Sequence, residues 1–297
     1  MKVDKVSFPL GIKWRQERSL DISNFSNLEP PLIMGVLNVT PDSFSDGGNY
    51  HDPEKAIKRA MKMVEQGADI VDVGGESTRP FSEEISPEKE ISRVLPVIEK
   101  LVEEMDVPVS VDTRHPETAR KCIDAGACIL NDVSGLRDEA MRELVLETGV
   151  SVVIMHMKGN PKVMQENPVY DDVVDEVGKY LVNRAKSLTS EGFDPVRIFI
   201  DPGIGFGKTV EHNLLLIKHL DRLANLGYGV LIGPSRKSFI GKILDLDVGQ
   251  RLEGSLVSAV VSTMNGASII RMHDIEETYR SIKLLKSIQH PEKYSGM

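Results

Sequence analysis

The sequence predicts a (β/α)₈ barrel, and three observations carry that prediction. Short runs rich in Val and Ile recur along the chain, each apolar throughout, as strands buried on both faces are. Helical patterns alternate with these runs and mostly stop at a glycine. The alternation repeats eight times over residues 32–297 with no second composition regime, and about 260 residues is the size of one eight-unit barrel. A doubly wound open sheet is the second candidate, since periodicity does not show closure.

Residues 1–31 are polar and irregular and end in Glu29–Pro30–Pro31, which reads as an extension before the barrel domain. Strands are expected at Leu32–Thr40, Asp69–Gly75, Val107–Thr113, Cys128–Ser134, Val150–Met157, Arg197–Asp201, Gly229–Gly233 and Ala267–His273. The first helix, Pro53–Gly67, has an acidic first turn and a terminal glycine. Ser86–Met105 opens Ser-Pro-Glu, a cap followed by proline at the first helical position. Pro116–Gly126, Asp138–Gly149 and Asp171–Gly192 stop at glycine, and Val210–Gly227, Gly249–Gly266 and Ile275–Ser287 complete the set.

Composition narrows the function. The formal charge is −9 and no long basic run exists, which argues against a nucleic-acid surface, as does the 5% aromatic content. No window approaches 18 uninterrupted apolar residues, so no membrane span is expected, and no apolar leader precedes Trp14. Cys122 and Cys128 read as two buried thiols of a reducing cytoplasm. No H-x-H pair stands on the first strand as a zinc hydrolase of this fold would need, and Gly203–Gly207 matches a dinucleotide fingerprint poorly.

A barrel builds its active site at the C-terminal ends of its strands. Standing there are Asn38, Asp112, Asn131, Asp201 and, at the ends of the seventh and eighth strands, Lys237, Arg271 and His273. Cations gathered in an acidic chain suit an anionic ligand such as a diphosphate, and barrels often bind phosphate at the last two strands. Asp112, Asn131 and Asp201 suit a flat heterocycle with a donor–acceptor edge, such as a pterin or guanine, because one carboxylate meets two adjacent N–H donors. Asn38 is a neutral oxygen ligand suited to Mg²⁺ shared with phosphate oxygens. Met155 and Phe206 read as pocket walls, and His156 as a barrel-interior residue outside the chemistry. Asp42 is balanced between a lid contact and a turn former after Pro41. The loops after the first two strands carry Gly, Ser, Thr and Pro, as mobile lids do.

Eight segments, in order, strongly resemble the dihydropteroate synthase family. They are Asn38–Gly48 (NVTPDSFSDGG), Gly74–Pro80 (GGESTRP), Ser110–Thr113 (SVDT), Asn131–Leu136 (NDVSGL), Met155–Met157 (MHM), Asp201–Lys208 (DPGIGFGK), Ser235–Ser238 (SRKS) and Arg271–Asp274 (RMHD). The resemblance implies a cytoplasmic, usually dimeric barrel that joins p-aminobenzoate to 6-hydroxymethyl-7,8-dihydropterin diphosphate with Mg²⁺. It places the pterin on Asp201, Asp112, Asn131 and Lys237, between Met155 and Phe206. It assigns the diphosphate to Asn38, Thr78, Arg271 and His273, and p-aminobenzoate to Phe44, Pro80, Lys237 and Ser238. Arg79 joins Asp112, Lys237, Arg271 and His273 in the catalytic set. Phe81 stands where the family usually has glycine, Met272 replaces the usual valine, and residues 1–31 are a longer lead-in than typical. A pterin-dependent methyltransferase shares the Asp/Asn floor but not the diphosphate set, and a modified arylamine acceptor is a further substrate alternative.

Overall fold

The computed structural model describes residues 31–40, 53–76, 84–159 and 168–295. Eight parallel strands close a barrel in sequence order. They are β1 (Leu32–Asn38), β2 (Ile70–Gly74), β3 (Val109–Asp112), β4 (Ile129–Asp132), β5 (Ser151–Met155), β6 (Ile198–Asp201), β7 (Gly229–Ile232) and β8 (Ile269–Met272). The seam joins β1 to β8, with Met34 opposite Arg271, so the open-sheet alternative is excluded.

Around them run α1 (Pro53–Glu65), α2 (Pro87–Glu104), α3 (Pro116–Asp124), α4 (Glu139–Thr148), α5 (Val173–Thr189), α6 (Val210–Lys218), α7 (Leu220–Ala224), α8 (Ser238–Leu244), α9 (Leu252–Met264) and α10 (Ile275–Gln289). The caps are those the sequence announces. Ser86 accepts the Lys89 N–H at the start of α2, and Pro87 follows it. Asp138 caps α4, and Gly149 ends that helix in the left-handed conformation glycine adopts without strain. The expected helix over Val210–Gly227 is two helices, broken at His219, whose backbone leaves helical geometry. The last turn of the unit before β8 is also divided, with α8 preceding α9 and a short 3₁₀ turn between them.

Strand alternation sorts the core into two layers. Ile33, Val71, Val73, Val111, Leu130, Ile154, Ile200, Ile270 and Met272 face outward and pack with the helices in one large apolar cluster. Leu32, Met34, Ile70, Ile129, Val153, Phe199, Leu231 and Ile269 face the axis and fill the lower barrel as a separate cluster. Both expected cysteine thiols are free: Cys122 is buried, whereas Cys128, just before β4, is only half-buried and donates to the Val109 carbonyl. Among the described residues no helix is long and apolar enough to cross a membrane.

Candidate active site

The inward-facing register that buries the lower plug also selects the polar residues of the mouth. Two residues beyond Ile70, Ile129, Phe199 and Ile269 on their strands stand Asp72, Asn131, Asp201 and Arg271. Asp112 lies opposite Asn131 in the register and Asp201 opposite Met155. The structure thus brings together at one rim Asp112, Asn131, Asp201 and Arg271, four of the residues the sequence singled out.

Arg271 organises the rim. Its Nε donates to Asp72 Oδ2 at 2.6 Å and its Nη2 donates to Asp112 Oδ2 at 2.7 Å. Asn131 Nδ2 donates to the same Asp72 oxygen at 3.1 Å, while Asp72 Oδ1 is buried with no hydrogen-bond partner among the described residues. Asp72 was not among the residues expected from the sequence, although a carboxylate inside the apolar run Ile70–Val73 was a signal. Burial opposes charge on Arg271, but Asp72 and Asp112 override it and hold the guanidinium protonated. Burial raises the Asp112 carboxyl, and Arg271 pulls against it.

Asp201 sits at the end of β6, where Oδ1 accepts the Gly203 N–H at 2.7 Å. Burial raises its pKa, with the turn N–H and Lys237 opposing. Lys237 Nζ lies 4.2 Å from the centre of the Phe206 ring, a cation–π contact. Burial, reinforced by Arg271, lowers the Lys237 amine to about 8. Phe206 packs against Met155, with Met157 and Val133, as one apolar wall. Met155 and Phe206, the two residues read from the sequence as pocket walls, thus fall in one apolar cluster.

His273 Nδ1 lies 2.9 Å from Ser235 Oγ, and burial with the Arg271 and Arg236 charges pushes it down to about 3, so it is a neutral imidazole. Asp274 is held by Arg236, which leaves Arg271 and Lys237 to face the mouth. Ser238 is exposed at the first position of α8, with Lys237 as its N-cap. Asn38 ends β1 opposite Gly74, and its Oδ1 and Asp112 Oδ2 both approach the space a side chain at Gly74 would occupy. Phe44, Thr78, Arg79, Pro80 and Phe81 lie outside the described residues, as does Asp42.

Two neighbouring features bear on metal and ligand chemistry. Glu76, Glu90 and His115 bring ligand atoms within 4.8 Å of one another. Both Glu76 oxygens, however, accept from Arg114, and Glu90 Oε2 is met by Thr113 and His115. An arginine-neutralised, imidazole-bearing set fits Mg²⁺ poorly, whereas the neutral Asn38 oxygen beside Asp112 fits a hard cation that keeps its other ligands from phosphate and water. A cavity of about 510 Å³ opens on the same face between the loops after β3 and β4, lined by Arg114, His115, Ser134 and Arg137. Its arginines are tied to Glu76 and to the Met157 and Gly159 carbonyls, so the free polar chemistry lies on the barrel axis instead.

The family described as pterin binding enzyme matches residues 34–273. The chain is 44% identical over 272 residues to the dihydropteroate synthase of Escherichia coli strain K12, covering 92% of this chain and 94% of that one. A structure of the Xanthomonas albilineans dihydropteroate synthase with 4-aminobenzoic acid is similar with a TM-score of 0.84 at 42% identity, covering 88% of this chain and 94% of that chain. A structure of the same enzyme in complex with 7,8-dihydropteroate has a TM-score of 0.81 at 40% identity, covering 88% and 95%.

Proposed function

This chain belongs to the dihydropteroate synthases of the pterin-binding enzyme family, and from that membership we propose how its own residues carry out the reaction. The enzyme joins p-aminobenzoate to 6-hydroxymethyl-7,8-dihydropterin diphosphate, giving 7,8-dihydropteroate and diphosphate. The observation that carries the residue assignment is the rim itself. Three carboxylates, a neutral amide and two cations converge above an apolar plug, which is the set of acceptors and donors a pterin and its diphosphate require.

Asp201 receives the adjacent N–H donors of the pterin edge on the oxygen that Gly203 leaves open. Asn131, oriented by Asp72, and Asp112 hold the rest of the ring, which slides between Met155 and Phe206. Arg271 and His273 take the diphosphate, the first as a fixed charge and the second as a neutral hydrogen-bond donor. Asn38 would hold Mg²⁺, which would supply charge neutralisation for the departing diphosphate. Departure leaves a cation on the pterin methylene, delocalised into the ring and stabilised by Asp112. The neutral arylamine then attacks, its nitrogen forming the new C–N bond and losing a proton. Its carboxylate lies near Ser238, and its ring between Phe44, Pro80 and the Lys237 stem. Thr78 is assigned to the diphosphate and Arg79 to the catalytic set, both outside the described residues.

We treat residues 32–297 as one catalytic domain of a cytoplasmic homodimer. Val257, Val261 and Met264 form an exposed apolar stripe on one side of α9, a face suited to a second copy. The test is to mix the protein with Mg²⁺, dihydropterin diphosphate and p-aminobenzoate and to follow dihydropteroate by chromatography. Product in stoichiometric amount is expected, with activity lost on chelation and restored by Mg²⁺. Pterin binding without product would overturn the assigned acceptor.

A further inference from the structure

Lys208 is an ionisable side chain only 3% exposed, and the reaction does not use it. Among the described residues its Nζ makes three polar contacts: to the Phe206 carbonyl at 2.9 Å, His156 Nδ1 at 3.0 Å and the His156 carbonyl at 3.4 Å. These contacts join two strand exits. His156 follows β5, and its N–H donates to the Asp201 carbonyl at 2.9 Å, while Phe206 belongs to the loop between β6 and α6.

The loop is drawn tightly onto β5. Gly203 has φ +67°, and a Cβ there would lie 2.0 Å from the His156 carbonyl oxygen. A Cβ at Gly207 would lie 2.7 Å from the Lys158 carbonyl oxygen, and that residue also requires a left-handed backbone. Tyr170 Oη donates to the Gly207 carbonyl at 2.9 Å, and the Tyr180 ring meets the His156 ring edge-on at 4.9 Å. The Gly203 N–H is bonded to Asp201 Oδ1, and the Phe206 ring lies under Lys237 Nζ. One loop therefore sets the carboxylate that reads the pterin, the ring that walls it, and the lysine above that ring.

We propose that Lys208 is a positioning residue, a buried tie between the end of β5 and the β6–α6 loop that fixes Asp201 and Phe206 for the pterin. Full engagement of Nζ keeps it from touching substrate, so its effect passes through Phe206 and Asp201. The inference rests on the reading of the mouth as a pterin site. Loss of the tie lets the loop lift, and displacement by a fraction of an ångström is enough to spoil the stack and the edge contact.

The test is Lys208→Met, which keeps the stem and removes the polar head, in the full chain with both substrates and Mg²⁺. The KM for dihydropterin diphosphate should rise about tenfold while that for p-aminobenzoate stays within about twofold. In a Phe206→Ala background the same change should add little to the pterin KM, since the effect is already lost. A lower melting temperature and fewer active molecules, with both KM values unchanged, would show a purely structural lysine and overturn the proposal. A wild-type protein that neither binds dihydropterin diphosphate nor turns it over would instead overturn the reading of the site. If Lys208→Met does not fold, Lys208→Gln, which keeps an amide donor, replaces it. Hydrogen exchange on the wild type gives an independent measurement: slow exchange at the Gly203, Gly205 and Phe206 amides supports the tie, and free-loop rates there contradict it.

Discussion

The lower and upper halves of the barrel interior are built from the same strands, and only two residues separate them. Phe199 fills the lower plug and Asp201 reads the mouth; Ile269 packs and Arg271 binds; Ile70 packs and Asp72 orients. The backbone that points one residue inward points the second one inward too. A change in the plug should therefore appear as stability, and a change two residues further on as binding. The fold supplies rigidity below the site, which lets a cluster of buried charges stand above it without collapsing.

The widest split in that contrast should come from adjacent inward positions of β6. Asp201→Ala removes the edge acceptor and should lower kcat/KM for the pterin substrate at least about a thousandfold, because the ligand's N–H donors are left unpaired. Phe199→Ala leaves a cavity in the plug and should cost about 3–5 kcal/mol of stability, read from urea unfolding. Near-normal pterin affinity in the first variant, or lost affinity in a folded second one, would break the comparison.

Asp72 tests whether a residue on the boundary behaves as floor or as site. Asp72→Asn keeps the shape but withdraws a charge from Arg271, whose second carboxylate partner, Asp112, then holds it alone. The KM for the diphosphate ester should rise about 10- to 100-fold. A loss of stability with unchanged KM would assign Asp72 to the plug.

The same boundary explains what the sequence disclosed. The eight strands were legible because a doubly buried parallel strand is an unbroken apolar run, and the helices because their caps are local. Asp112, Asn131, Asp201, Lys237 and Arg271 were legible because each follows such a run. Asp72 was missed because it lies one pleat below its strand end, flanked by valines, where only the three-dimensional register reveals its partner on β8. Lys208 was visible in its motif, but its burial and its contacts to His156 depend on how a glycine loop folds back on β5. His156 reads in the sequence as a barrel-interior residue, and its Nδ1 and carbonyl both meet Lys208 Nζ. The break at His219 has no proline or glycine to announce it, and the lid positions Phe44, Thr78, Arg79 and Pro80 lie outside the described residues.

Acid should separate the mouth from the plug without mutation. His156 and His273 are buried neutral, each pushed down to about 3, chiefly by burial and by nearby cations. Unfolded, they titrate near the ordinary value of about 6.5. Between these values the unfolded chain binds more protons, so stability is complete above about 6.5 and declines as the pH falls toward about 3. One pH unit below the unfolded value, each histidine should account for roughly 1 kcal/mol. Urea midpoints from about pH 7 to about pH 5 should show this decline, and His156→Gln should make it shallower. An identical slope in the variant would mean that His156 takes up its proton in the folded state.

The finest distinction lies between neighbours on β8. Arg271 points into the mouth, while Met272 turns outward and is fully buried among the barrel–helix contacts. Restoring the valine usual at that position, Met272→Val, shortens a side chain in the outer core, on the face of β8 opposite Arg271. It should cost about 1 kcal/mol in urea unfolding. Both KM values should stay within about twofold, because one residue along a strand is the opposite face of the sheet. A clear rise in the KM for dihydropterin diphosphate would show that outer packing sets the angle of β8, and with it the reach of Arg271.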